Sequence, residues 1–269
     1  MGQINYSKAK EYWNSFDNKG EIGKYSSGYI IPFKFEKVAF YRFNKELNFL
    51  NKFGHFGGNY LDLGCGTGNF LFEWRDKYSK LIGIDFSENF VEIAKTQSLA
   101  SKNISIFQDN ALNFEKYVGN EKFNFIFLGG FFMYINDNDV SALLNNLFKR
   151  LNKGGVLIFR EPTTTSKRIY KENIDIRRTI DEYKKLIIFD QGSYTMQCYQ
   201  NYSVNYTHLI CLYSKVFPFL INKTALFNNK VIEFIFLYLP LKLYTKIKRN
   251  MVLYHFFVIT KNITDETIV

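Results

Sequence analysis

Residues 60–69 read YLDLGCGTGN. A short apolar run ends in three glycines at alternate positions, Gly64, Gly66 and Gly68. Glycine after a buried strand permits a tight turn and lets backbone N–H groups approach a ligand without interference from Cβ. Where a helix follows, its N-terminal amides favour a polar or anionic group. The stretch therefore reads as strand, ligand-binding turn and helix.

Working outward, further apolar runs recur at LIGID (81–85), ISIFQ (104–108), FNFIFL (123–128) and GVLIFRE (155–161), with longer segments of helical period between them. Runs buried on both faces that alternate with helices indicate a parallel sheet in a doubly wound α/β domain. In NDNDVSALLNNLFKRLNKGG (136–155), Val140, Leu143, Leu144, Leu147 and Leu151 form a one-sided apolar stripe. Asn and Asp precede that stripe, Lys149, Arg150 and Lys153 lie near its end, and Gly154-Gly155 is expected as its C-cap. Helices are also expected in SKAKEYWNSF (7–16), EKVAFYRFNKELNFLNKF (36–53) and IRRTIDEYKKLI (176–187), and strands in SYTMQCYQ (193–200) and MVLYHFFVITKN (251–262). The expected organisation is an N-terminal helical lid (1–54), a core (55–202), a helical insertion or substrate cover (203–250) and a closing strand (251–269).

Composition narrows the function classes. The 269 residues carry a formal net charge of +10 and 46% hydrophobic residues, including 29 Phe and 19 Tyr. That is ample material for one large core. The charge fits an acidic partner, such as nucleic acid, an anionic membrane or a phosphorylated or carboxylated substrate, and equally a solvated lysine-rich surface. Cys65, Cys198 and Cys211 are too few for a disulfide framework and lack metal-ligand spacing. The opening MGQINYSKAKEYW has no apolar signal region, and Tyr6 replaces the Ser or Thr of a myristoylation signal. A reduced, cytoplasmic protein is expected. VIEFIFLYLPL (231–241), interrupted by Glu233 and Pro240, is too short to span a bilayer but leaves room for a peripheral membrane contact.

Three ligand classes use a glycine-rich turn of this kind. A P-loop ends in Gly-Lys-Ser/Thr, and Asn69-Phe70 stands there instead, which excludes triphosphate hydrolysis. A dinucleotide turn is spaced G-x-G-x-x-G, unlike Gly64-x-Gly66-x-Gly68, although Asp85 is also suitably spaced for an NAD ribose. The segment LDLGCGTGN (61–69) resembles the first motif of class I S-adenosylmethionine (SAM) dependent methyltransferases.

That resemblance covers about residues 55–162 and the closing strand, and it implies a Rossmann-like, seven-stranded, mostly parallel sheet ordered 3-2-1-4-5-7-6. SAM, with S-adenosylhomocysteine as product, would lie across the carboxyl ends of the first and fourth strands. Gly64, Cys65, Gly66 and Gly68 would form its turn, Asp62 would orient its methionyl end, and Asp85 would take its ribose hydroxyls. Asp109 would meet the adenine amino group, with the amides of Asn110 and Ala111 near the ring edge. Leu128 and Gly129 would border the methionyl part. Phe86 is open to two readings, packing on adenine or joining the core.

The acceptor would lie over the fourth and fifth strand ends. Leu128-Gly129-Gly130-Phe131 does not match the Asn/Asp-Pro-Pro-aromatic motif of amino-directed base methyltransferases, so nucleic acid is not the expected acceptor. Tyr134 could reach the methyl site or simply pack beside a helix start. Glu161 and His208 are candidate general bases, and Arg160 could clamp a phosphate or carboxylate. Arg168, Arg177 and Arg178 add positive charge after the fifth strand, and Tyr12, Trp13 and Arg42 are candidate lid residues; each is open to a solvent-facing or packing reading. No Cys/His set suggests a metal. The REP segment (160–162) followed by RRTIDEYKKLI (177–187) loosely resembles bacterial methyltransferases of surface-polysaccharide precursors.

The leading expectation is an O-methyltransferase of a small anionic acceptor (phosphate, phosphoramidate or sugar-linked). An N- or C-methyltransferase of an amine or lipid-like molecule, a non-catalytic SAM-binding subunit and an NAD-dependent reductase are the alternatives.

Overall fold

A computed structural model describes residues 3–15, 36–201 and 252–263. His208 and the insertion expected at 203–250 lie outside the described residues.

The YLDL run forms β1 (Asn59–Leu63), and the glycine turn leads into the short helix α3 (Asn69–Glu73). Two helices precede β1: α1 (Tyr6–Asn14) and α2 (Glu36–Leu50). After α3 come β2 (Lys80–Asp85), α4 (Glu88–Ser98), β3 (Ile104–Gln108), α5 (Glu115–Val118) and β4 (Phe123–Gly129). Then follow α6 (Asp137–Lys149), β5 (Leu151–Thr164), β6 (Ile169–Lys171), β7 (Asp175–Thr179), α7 (Ile180–Leu186), β8 (Tyr194–Gln200) and β9 (Val252–Lys261).

The sheet has nine strands among the described residues, which corrects the expected count of seven. Strands β3-β2-β1-β4-β5 pair in parallel, β9 runs antiparallel beside β5, and β8 runs antiparallel beside β9. The extra pair is the β6–β7 hairpin, whose second strand joins the end of β5 through Thr163 and Thr164. This hairpin takes Ile176–Thr179 from the expected helix, so α7 begins only at Ile180. Thr179 accepts from the Glu182 amide and Glu182 returns a bond to the Thr179 amide, a capping box that fixes the helix start. Gly154-Gly155 is not the cap of α6. That helix ends at Lys149, and Gly154, at φ +72°, lies at the register shift where β5 begins to pair with β4.

Both faces of the sheet are covered. Leu61, Ile126, Leu128, Leu157 and Phe159 pack against Val140, Leu144 and Leu147 of α6 and Tyr183 of α7. Tyr60, Phe125, Phe127 and Ile158 pack against Leu50, Leu71, Trp74 and Val91 on the other face. Period-two alternation along each strand therefore feeds two separate cores. The polar turns at the carboxyl ends of β1, β2, β4 and β5 are left to build the site, as such sheets dictate.

Candidate active site

The glycine turn crosses the top of β1 with Gly64, Gly66 and Gly68 at positive φ. A Cβ on Gly66 would meet no atom within 4 Å, so its backbone faces open space. Gly68 serves the fold instead: it caps α3, and an added Cβ would strike the Phe72 ring. A Cβ added to Gly64 would stand 3.2 Å from Cδ2 of the Phe131 ring.

Above the turn is a cleft of about 410 Å³ whose wall includes Gly64, Gly66, Asp85, Phe86, Gly129, Phe131, Tyr134, Arg160 and Arg177. It continues at one end into a recess of about 120 Å³ formed by Arg42, Glu46, Asp62, Cys65, Asn69 and Arg160. At the other end Phe86, Phe131 and Tyr134 lead into a space of about 490 Å³ beside Asp109, Asn110 and Tyr117, covered by α1.

Asp85 ends β2 and is buried. Its Oδ2 accepts from the Gly66 amide (2.9 Å) and its Oδ1 from the Ser87 amide (2.9 Å), which leaves lone pairs for a hydroxyl ligand. Burial raises its pKa. Asp62 is also buried, and its Oδ2 has no hydrogen-bond partner among the described residues. Burial pushes Asp62 up to about 7, opposed by Tyr60 and reinforced by Asp85. A buried carboxylate oxygen without a donor is costly unless a ligand supplies one.

Beside it, Arg42 Nε and Arg160 Nε are buried and make no hydrogen bond among the described residues. The recess thus offers an acceptor for an ammonium and donors for a carboxylate, which is the pattern of an amino-acid end. The residues present fit SAM. Asp62, Arg42 and Arg160 would hold its methionyl end, the Gly64–Gly66 backbone and Asp85 its ribose, and Phe86 and Asp109 its adenine.

The structure moves several expected residues. Glu161, expected as a general base, is fully buried. Its Oε1 accepts from the Phe131 (2.8 Å) and Phe132 (2.7 Å) amides, and its Oε2 from the Met133 amide (3.1 Å), so it is not placed to take a proton from an acceptor. Arg178, equally buried, donates to Asp137 and to the Phe132 and Ile135 carbonyls, and Arg168 pairs with Asp137 and Glu182. Neither arginine lines the cleft, because both charges are spent on holding α6, β7 and α7 together.

Arg160 faces the cleft as expected from its position but is buried and paired with Glu46. Gly129 and Gly130 make room for this guanidinium: an added Cβ would stand 3.2 and 3.4 Å from Arg160 Nη2. The space was expected to serve the methionyl group.

Other placements are plainer. Leu128 and Ala111 are buried in the core. The Asn110 and Leu112 amides donate to Asp109 Oδ1 and Asn110 Oδ1. Asp109 itself accepts from Tyr117, Asn113 and Asn110, and with Lys116 these hold its pKa down at about 2. Cys65 lines the recess with Sγ 3.9 Å from the Gly66 carbonyl oxygen. Tyr12 lines a small separate recess with Tyr134 and Lys171, while Trp13 meets Tyr134 edge-on at 5.4 Å within the main cleft.

Sequence reasoning missed Glu46, Phe90 and Tyr254. Only the i, i+4 spacing of Arg42 and Glu46 hinted at the first.

A family model described as a methyltransferase domain (Methyltransf_31) matches residues 55–203. The chain belongs to the methyltransferase-domain family. It is a class I SAM-dependent methyltransferase, and SAM is its cofactor. Demethylmenaquinone methyltransferase of Lactococcus lactis subsp. lactis is 31% identical over 183 residues, 65% of this chain and 67% of that protein. Carboxy-S-adenosyl-L-methionine synthase of Campylobacter jejuni subsp. jejuni is 34% identical over 143 residues, 51% of this chain and 59% of that protein. This methyltransferase therefore spans about three-fifths to two-thirds of the length of these relatives. Haemonchus contortus phosphoethanolamine N-methyltransferase 2, solved with SAM, shares the fold at a TM-score of 0.65 and 15% identity, over 97% of this chain and 61% of that one.

Proposed function

We propose that this methyltransferase transfers the SAM methyl group to an oxygen of a small anionic acceptor, of the phosphate, phosphoramidate or sugar-linked kind. The observation that carries the reading is that Arg177 and Tyr134 face the same cleft as the glycine turn and Asp85. SAM supplies an activated methyl group. The chain has to align the acceptor lone pair with the carbon–sulfur bond and exclude water. An acceptor oxygen that is already anionic needs cationic positioning rather than a base. Arg177 offers that charge, moderated by Asp175 at 3.3 Å. Arg42 and Arg160 serve the methionyl end, so the acceptor argument rests on Arg177 rather than on the whole arginine set.

In this reading the described N-terminal helix α1 acts as a lid, with Trp13 set edge-on against Tyr134 and Phe90. A cytoplasmic enzyme of surface-polysaccharide synthesis fits the loose resemblance of the REP segment.

A second reading is methylation of nitrogen or carbon. It is favoured by relatives named for demethylmenaquinone and for phosphoethanolamine, the latter an amine that itself bears a phosphate.

The test uses SAM labelled on its methyl group, mixed with the enzyme and a small-molecule extract of its source cells, half of it phosphatase-treated. Label entering only the untreated half supports a phosphorylated acceptor. Equal label in both halves removes the anionic reading and leaves the amine or carbon acceptor.

A further inference from the structure

The turn that follows β4 is held from both sides by two buried ionisable side chains, Glu161, which burial raises to about 7 against the pull of the Phe131 and Phe132 amides, and Arg178. Glu161 accepts the amides of Phe131, Phe132 and Met133, and Arg178 donates to the carbonyls of Phe132 (2.8 Å) and Ile135 (2.6 Å). Tyr183 adds a long contact to Glu161 Oε2 at 3.5 Å. Both side chains are 0% exposed, far more buried than the turn's outer residues Phe131 and Tyr134. On its outer side the same turn places Phe131 beside Gly64 and Tyr134 against Trp13. Burying such groups is expensive, and they do not pair with each other: Glu161 is held by backbone amides, while Arg178 divides its bonds between two carbonyls and the Asp137 carboxylate.

We propose that Glu161 and Arg178 are positioning residues that clamp the 131–134 turn in the shape that closes the SAM cleft. This rests on the reading that the cleft takes SAM. A purely structural clamp would cost global stability alone, whereas a positioning clamp sets ligand affinity and local protection.

In Glu161→Gln, one oxygen can still accept from Phe131 and Phe132, but the amide NH₂ faces the Met133 N–H, two donors together. Calorimetric titration with S-adenosylhomocysteine should then show about tenfold weaker binding than the wild type, the size expected when one charge-assisted bond is lost. Hydrogen exchange at 131–133 should rise while β1 and β4 keep their protection. Arg178→Lys provides the second variant, since an ammonium cannot reproduce the two-pronged contact with Phe132 and Ile135; the same pattern is expected.

Unchanged affinity in a folded variant with loosened 131–133 amides overturns the proposal, as does exchange rising uniformly through the domain. Should both variants fail to fold, the wild type decides. Saturating S-adenosylhomocysteine should slow exchange at 131–133 further, and unchanged protection there overturns the clamp's role. A wild type that binds no S-adenosylhomocysteine at all overturns the cofactor reading of the cleft instead, and the two failures are thereby distinct.

Discussion

Glu46 on α2 and Arg160 of β5, where that strand stops pairing with β4, are buried together, paired through Oε2 and Nη1 across 114 residues of sequence. The other Glu46 oxygen accepts from Asn201 Nδ2 (2.9 Å) and lies 3.8 Å from Arg42 Nε. One carboxylate thus bonds Arg160, lies within ion-pair distance of Arg42 and ties α2 to the sheet. Desolvation lowers the Arg42 pKa, Glu46 counters it, and Arg160 adds to the lowering.

Glu46→Ala should destabilise the fold by about 3 to 5 kcal/mol, because it strands two buried guanidinium groups. Urea unfolding of wild type and variant measures this. A loss below about 1 kcal/mol would mean that the pair is hydrated rather than buried.

Asp62 gives SAM binding a pH dependence. Its pKa stands at about 7 without ligand, and an ammonium at its free oxygen favours the ionised form. Affinity should therefore fall as pH drops below about 7, approaching tenfold per unit. Asp62→Asn should bind more weakly at neutral pH and lose that dependence. Titrations at pH 5.5, 6.5 and 7.5 check it; parallel slopes for both proteins would remove Asp62 from the site.

Gly83 in β2 lies beneath the glycine turn. A Cβ there would stand 2.5 Å from Leu71 Cδ1 and 2.9 Å from Cys65 Sγ. Gly83→Ala should cost about 1 to 3 kcal/mol by overpacking and push the turn outward. Weaker SAM binding together with a lower Tm is the expected outcome. A loss of stability with full affinity would show that the turn can absorb the added methyl.

The glycine turn and Asp85 were legible because each is local: a strand, its turn and the end of the next strand are read from neighbouring residues. The β6–β7 hairpin was not legible. Ile176, Tyr183 and Ile187 keep a helical spacing straight through Thr179, and only pairing with the end of β5 extends the first part of that run. Glu161 was read as ending the fifth strand at the ligand edge, yet β5 continues to Thr164 and Glu161 points inward, where it accepts the three amides of the turn after β4. The pairing of Glu46 with Arg160 was not legible for a similar reason: that partner lies in a distant strand.

His255 in β9 is buried, with Nδ1 2.7 Å from Thr163 Oγ1, and burial lowers its pKa from 6.5 to about 4. The unfolded chain takes up this proton below about 6.5, while the folded chain resists until about 4, so His255 makes stability fall across that window as pH falls. His255→Gln should flatten this part of the acid limb. Melting temperatures at pH 7.5, 5.5 and 4.5 test it, and identical limbs for both proteins would assign the acid loss elsewhere.

The most direct measurement is calorimetric titration of wild type and Asp85→Asn with SAM, and of wild type with NAD. Asp85 is bonded to the turn through Gly66 and keeps acceptor capacity toward the cleft. Wild type should bind SAM and not NAD, and Asp85→Asn should bind SAM at least about tenfold more weakly, the loss expected for hydrogen bonds to a charged group. Equal SAM affinity in the two proteins, or tighter binding of NAD, would contradict the assignment of this cleft.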